Sequence, residues 1–345
     1  MRSPHLYFLF FAFCLLARTG VAAEYTANPG PFTVGTLDQT WHDASRNRDV
    51  PVKIYFPKSA NAAAPGKFPV IIFSHGLGGS REGYAYLGEH WASCGYVVVH
   101  PQHHGSDKNV MRGFRPLKAL RDAAANPANA VDRPLDISFV IDRLTALDSD
   151  VSFPLHGELD LAHLGVAGHS FGAFTTMAVA GAHFPVLGDE HTYLDPRVKA
   201  AIAMSTPTTQ DNDEAFDDVK IPVFHMTGTK DESPDRRRER ESDPVVGNTS
   251  AEQRLRPFRH TRHAPAYLLV FEGGDHMVFS GRLTESRPSD GEFQARILSG
   301  STAFWDAWLK DDKDARHWLD QGGFSAALGG LGTFEISSPR TTPAS

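Results

Sequence analysis

The run Gly168-His169-Ser170-Phe171-Gly172 constrains this chain more than any other. It is a G-x-S-x-G pentapeptide. A short strand-like segment precedes it, His163-Leu164-Gly165-Val166-Ala167, and a helical one with an apolar face follows, Ala173 to Gly181. Strand, tight turn and helix in that order form an elbow that holds the serine in a strained backbone conformation. The glycines are there for steric reasons, because side chains beside so tight a turn would clash. The hydroxyl then stands at the top of a sheet, next to a helix N-terminus whose free N–H groups favour developing negative charge. The competing reading, an incidental Ser in a Gly-rich turn, does not explain the flanks or the partners found below.

A chain of 345 residues with 41% hydrophobic residues can bury a sizeable core, and the length suits one elaborated α/β domain. The net charge of −7, with no offsetting basic patch, argues against a nucleic-acid partner. No internal repeat, heptad pattern or low-complexity tract is present. Residues 1–23 read as a secretory signal peptide: Arg2, then the apolar run Leu6 to Ala17, then the small residues Val21-Ala22-Ala23. The run is too short for a spanning helix. The expectation is a secreted or periplasmic chain starting at Glu24, with no stable membrane span after signal removal; an uncleaved anchor is the alternative. Residues 1–23 carry Arg2 and Arg18 and no acid, so their loss takes the charge to about −9. Cys14 would leave with them. Cys94 then has no intrachain partner and reads as a packing thiol at a helix end.

Residues 31–57 read as an antiparallel hairpin, Phe32 to Trp41 and Val50 to Phe56, with Arg46-Asn47-Arg48-Asp49 between them. A strand–helix rhythm follows. Strands are expected at Phe68–Phe73, Tyr96–Val99, Val198–Ala203, Val223–Met226 and Tyr267–Phe271, besides the elbow strand. Helices are expected at Tyr84–Ser93, Pro134–Leu147 and Phe293–Leu309, besides the elbow helix. Short apolar runs alternating with amphipathic helices predict a mostly parallel sheet with helices on both faces. Two insertions break the rhythm, near residues 105–132 and 232–265. The second is strongly charged and reads as a solvated surface loop, or alternatively as a lid over the site. Residues 24–320 form the domain, and residues 321–345 read as a loosely ordered tail.

A serine hydroxyl is a poor nucleophile until an adjacent base takes its proton, and the base needs a partner that fixes its tautomer. An elbow in an alternating β/α chain is the mark of α/β hydrolases, where the acid and then the His follow the Ser, each just after a strand. His276, in Gly273-Gly274-Asp275-His276 after the strand ending at Phe271, is the expected base. His260 and His263 precede that strand and fit poorly. Asp231, at the mouth of Val223-Phe224-His225-Met226-Thr227-Gly228, is the expected acid; Asp275 adjoins the His and is badly placed to reach its Nδ1. Two backbone N–H groups should form the oxyanion hole: Phe171, the residue after the nucleophile, and Leu77, in the loop Ser74-His75-Gly76-Leu77-Gly78-Gly79-Ser80. That loop lacks the Lys-Ser/Thr pair of a phosphate cradle. His100, His103 and His104 lack metal-site spacing and a clear acidic third ligand, so no metal or other cofactor is expected. His169 should pack beneath the elbow, and Asp311, Asp312 and Asp314 read as a solvated helix end rather than a calcium loop.

The segment Val70 to Gly79, Gly95-Tyr96-Val97-Val98-Val99, the pentapeptide itself and Arg133-Pro134-Leu135-Asp136 resemble the plasma-type platelet-activating factor acetylhydrolases. The wider dienelactone-hydrolase-like and polyester-hydrolase groups share the architecture. The resemblance covers about residues 50–310. It implies an α/β-hydrolase fold, Ser170 as nucleophile, His276 as base, and Leu77 and Phe171 as oxyanion donors. One position departs. The acetylhydrolases carry their acid after the strand that follows the nucleophile helix, where this chain has Ser205; Asp231, after the next strand, matches most other α/β hydrolases. The function expected is a serine hydrolase of carboxylic esters, acting on a small-molecule or lipid ester such as a short-chain acyl ester or an acetylhydrolase-type phospholipid. Rival readings are a polyester or plant-wall ester hydrolase, an amidase or peptidase, an acyl transferase, and a non-catalytic binding protein of the same fold.

Overall fold

The computed structural model describes residues 25–58, 66–184, 192–208, 214–232, 249–281 and 289–339. The expected signal peptide therefore lies outside the described residues, as does the centre of the charged insertion.

The hairpin forms from β1 (Thr33–Asp43) and β2 (Arg48–Lys58), with Thr33 opposite Lys58 and Asp43 opposite Arg48. Both strands run further than the alternating pattern indicates, so Arg48 and Asp49 belong to β2 rather than to the turn. Asn47 makes the turn in the left-handed region, φ 47°, which Asn tolerates through local side-chain bonding. Then come β3 (Phe68–Ser74), α1 (Ala85–Ser93), β4 (Val97–Pro101), α2 (Pro116–Ala124), α3 (Pro127–Asp148), β5 (Leu159–His169), α4 (Phe171–Val179), β6 (Val198–Met204), β7 (Val223–Lys230), α5 (Arg256–His260), β8 (Ala266–Asp275), α6 (Ser289–Leu309), α7 (Lys313–Asp320), α8 (Gly323–Leu328) and β9 (Gly332–Ser337). Among the described residues they form one sheet in the order β1-β2-β4-β3-β5-β6-β7-β8-β9. The strands from β4 to β8 pair in parallel, and β1, β2 and β9 are antiparallel. This is the α/β-hydrolase architecture.

Period-2 alternation divides the core between the two faces of the sheet. Val70 and Ile72 of β3 join Val99, Ile137, Val140, Leu144, Phe174 and Met177 under α3 and α4. Ile71 and Phe73 face the other way, with Val98, Trp91, Phe224, Phe304 and Trp305 under α1 and α6. Trp91 and Trp305 meet edge to face, 5.8 Å between centroids, and tie those two helices together.

Three sequence expectations need correction. The third helix begins at Pro127, not Pro134. Asn126-Pro127 looks like a breaker but is the helix start: the Asn126 side chain accepts from the Ala128 N–H, and Pro fits the first helical position. Pro134 lies inside the helix. The 105–132 insertion is likewise structured, carrying α2 and the start of α3.

The tail is the third. Residues 321–337 are not loosely ordered: α8 and the edge strand β9 complete the sheet against β8, from Ala266 opposite Ser337 to Phe271 opposite Gly332. Phe334 fastens β9 by packing edge to face on Phe324 at 4.8 Å and stacking on Tyr267 at 6.0 Å. The Gly and Ser content masks one alternating stretch, Thr333-Phe334-Glu335-Ile336. No helix among the described residues is long and apolar enough to cross a membrane.

Candidate active site

The elbow is built as its sequence requires. Ser170 has φ 56° and ψ −120°, a strained conformation between β5 and α4. A Cβ on Gly168 would lie 2.3 Å from the Gly172 carbonyl oxygen, and one on Gly172 would lie 1.8 Å from that of Ser74. Both glycines are therefore obligatory, and the close approach sets the start of α4 against the end of β3.

His276 follows β8 directly, and its Nε2 is 3.0 Å from Ser170 Oγ. Its Nδ1 is 2.8 Å from Oδ1 of Asp231, the residue after β7. Ser170 is 7% exposed and Asp231 fully buried. Thus the expected nucleophile, base and acid form one hydrogen-bonded chain. Burial alone would raise the Asp231 carboxyl. The Arg254 guanidinium and the His276 bond outweigh it and hold that carboxyl well below the usual carboxylate range. Asp275 accepts from the Met277 N–H instead of serving the His.

Phe171 is the first residue of α4, so its N–H has no acceptor within the helix. Leu77 sits in a β-turn closed by Gly79 N–H to the Gly76 carbonyl, 2.9 Å, with Gly78 at φ 72° as a type II turn demands at that position. Neither the Leu77 nor the Phe171 amide is taken by a backbone acceptor among the described residues.

Several residues that sequence reasoning missed support these groups. Ser205, where the acid is absent, donates through Oγ to Asp231 Oδ2, and Thr227 Oγ1 donates to the same oxygen at 2.8 Å. Arg254, from the charged insertion, pairs through Nε with Asp231 Oδ1 at 2.8 Å. That part of the insertion is buried beneath the acid rather than solvated; of the 232–265 segment read alternatively as a lid, residues 233–248 lie outside the described residues. Arg133 is fully buried. It donates to the His75 carbonyl, to Ser74 Oγ at 3.0 Å, Ser106 Oγ at 2.9 Å and Thr175 Oγ1 at 2.9 Å, and its guanidinium lies 4.4 Å above the Phe171 ring. Its place on the stripe of Ile137, Val140 and Leu144 is a legible sign of a buried, paired cation. His169 does pack beneath the elbow, between Tyr84 Oη at 2.8 Å and the His276 carbonyl at 2.9 Å.

The three histidines in and after β4, His100, His103 and His104, do not converge. His103 bridges Ser74 Oγ at 2.9 Å and Asp136 Oδ2 at 3.0 Å. This second Ser–His–Asp chain is wholly buried. Burial and Arg133 push the His103 imidazole down to about 4, against the pull of Asp136. His100 Nδ1 bonds the Gly83 carbonyl at 3.2 Å, and His104 is exposed. No group of three or more His, Cys, Asp or Glu among the described residues is arranged to hold a metal ion.

Comparison with known proteins finds resemblance over part of the chain. The family described as platelet-activating factor acetylhydrolase, isoform II, matches residues 58–115, the segment from the end of β2 through β3, α1 and β4 to the residue before α2. Platelet-activating factor acetylhydrolase of Bos taurus is 24% identical over 197 residues, 49% of this chain and 41% of that protein. The Canis lupus familiaris protein of the same name is 23% identical over 198 residues, 49% of this chain and 42% of its own length. Chlorophyllase type 0 of Chenopodium album is 30% identical over 159 residues, 45% of this chain and 37% of that protein. The matched region thus spans about two-fifths of each relative. The chain has the α/β-hydrolase fold, and its matched segments resemble the platelet-activating factor acetylhydrolases.

Proposed function

We propose that this chain is an exported serine hydrolase of carboxylic esters. Ser170 Oγ attacks the ester carbonyl and passes its proton to His276 Nε2. The Leu77 and Phe171 amides hold the oxyanion of the tetrahedral intermediate. His276 returns the proton to the leaving alkoxide, giving an acyl-enzyme and an alcohol. Water, deprotonated by His276, then attacks the acyl carbonyl, and the acid departs as Ser170 regains its proton. Asp231 keeps His276 in the tautomer with Nδ1 protonated and stabilises the imidazolium. The cycle uses no cofactor.

The observation that carries this reading is the unbroken chain Ser170 Oγ–His276–Asp231, with contacts of 3.0 and 2.8 Å. It also weighs against a non-catalytic binding protein, which has no need of all three groups in register. The name of the acetylhydrolase relatives favours a short acyl group, with the acetyl ester of platelet-activating factor as the first substrate to try. The acid after β7, with Ser205 after β6, favours the broader ester-hydrolase reading, polyesters included. Export rests on Arg2, the Leu6–Ala17 run and Val21-Ala22-Ala23. The test is hydrolysis of p-nitrophenyl esters from acetate to palmitate, with Ser170→Ala alongside. Turnover that favours short chains and vanishes in the variant is expected. Equal turnover in both proteins, or none in the wild type, overturns the proposal.

A further inference from the structure

In a Ser–His–Asp triad the buried carboxylate accepts from the imidazole Nδ1–H, orients the ring and stabilises the imidazolium with its charge. Here that charge is shared. The Arg254 side chain is 2% exposed, and its Nε lies 2.8 Å from Asp231 Oδ1. The same nitrogen is 2.9 Å from the Asp231 main-chain oxygen, and a terminal guanidinium nitrogen donates to the Ser205 carbonyl at 2.6 Å. Arg254 therefore bridges the ends of β6 and β7. His276 Nδ1 contacts that very Oδ1, also at 2.8 Å. Guanidinium and imidazole share one oxygen and stand no more than twice that distance apart.

We propose that Arg254 is a positioning residue that sets the protonation range of His276. It locks the carboxylate in place and offsets its charge, so the imidazolium forms less readily than it would beside an unshared carboxylate. The inference rests on the triad reading above. Other groups facing the pair do not supply this effect. His169, its ring centroid 4.7 Å from that of His276, is held neutral by burial. Asp275, on the same loop, has Oδ1 on the Met277 N–H. Ser205 and Thr227 fix Oδ2 without adding charge. Arginine keeps its proton at any working pH, so its influence is permanent.

The test replaces Arg254 by Gln and Met, which remove the charge, and by Lys, which keeps it. The His276 ring is titrated by NMR in histidine-labelled protein from about pH 9 to about pH 5.5, its signal assigned by its loss in His276→Gln. A charge this close moves a titration by about 1–3 pH units, and the intervening carboxylate favours the low end. The imidazolium should therefore form about 1 pH unit higher in Arg254→Gln and Arg254→Met than in the wild type, with Arg254→Lys close to the wild type. The acidic limb of kcat/KM on a soluble ester should move with it. A purely structural arginine would lower Tm and leave the titration where it was; that result, or an equal shift in Lys and Gln, overturns the proposal. If the Met variant does not fold, the Gln variant decides, since its amide can still reach the Ser205 carbonyl. The NMR reading needs no turnover, so failure of the esterase reading shows separately in the ester assay.

Discussion

Replacing Arg133 by Met should loosen the oxyanion loop and leave the triad intact. The guanidinium serves four acceptors, and three of them have second partners. Ser74 Oγ keeps His103 at 2.9 Å, Thr175 Oγ1 keeps the Phe171 carbonyl at 2.9 Å, and Ser106 Oγ keeps the His103 carbonyl at 3.3 Å. The His75 carbonyl loses its charged donor, and an orphaned buried acceptor costs about 1–3 kcal/mol. The net loss should be about 2 kcal/mol, because Met fills much of the space and carries no desolvation penalty. For a chain of this size that lowers Tm by about 3 °C. His75 adjoins the turn that carries Leu77, and Arg133 also covers the Phe171 ring. Slackness there falls on the oxyanion donors, so kcat should drop about 10–100-fold while KM changes little. The assay is steady-state hydrolysis of p-nitrophenyl acetate with a thermal melt on the same sample. An unchanged kcat with lowered Tm, or a rise in KM alone, refutes the argument that Arg133 holds the oxyanion loop.

Gly172→Ala should abolish activity and yield little folded protein, because its Cβ would lie 1.8 Å from the Ser74 oxygen; expression and circular dichroism check this. Phe334→Ala should lower stability by about 2 kcal/mol in denaturant unfolding without changing kcat, since β9 lies at the sheet edge away from Ser170. Burial holds His90 down to about 4, His100 to about 3, His103 to about 4 and His225 to about 3. These folded values lie below the unfolded value of about 6.5, so between about pH 6.5 and 4 the unfolded chain binds more protons and stability falls as the pH falls. Each such His contributes about 1.4 kcal/mol per pH unit, so Tm should drop steeply between about pH 6.5 and 5; a Tm that stays level contradicts it.

Much of the candidate site's geometry was legible because its residues are tied to strand ends. Ser170, Asp231 and His276 each follow a strand, and the order Ser, Asp, His fixes which strands. The turn at Leu77 could be read from the Gly-rich loop after β3. The tail and the helix starting at Pro127 were not legible, because Gly, Ser, Asn and Pro look the same in a disordered segment as in a cap or a tight turn. Arg254 was hidden for a different reason. It lies in a run of mixed charge where local pattern says solvent, and only tertiary contact with Asp231 says otherwise. Ser205 was read as a missing acid; it is a hydrogen-bond donor to the acid on the neighbouring strand. The buried Ser74–His103–Asp136 chain has the residue types of a catalytic centre without access for substrate, and no spacing rule separates the two cases.

That contrast supplies the most direct test of the account. The protein is treated with a p-nitrophenyl alkylphosphonate, which phosphonylates an activated serine, then digested and examined by mass spectrometry. The account predicts a single adduct on the peptide carrying Ser170, loss of ester hydrolysis in step with labelling, and no adduct in His276→Gln. An adduct on Ser74, or full labelling elsewhere with hydrolysis intact, would contradict Ser170 as the nucleophile.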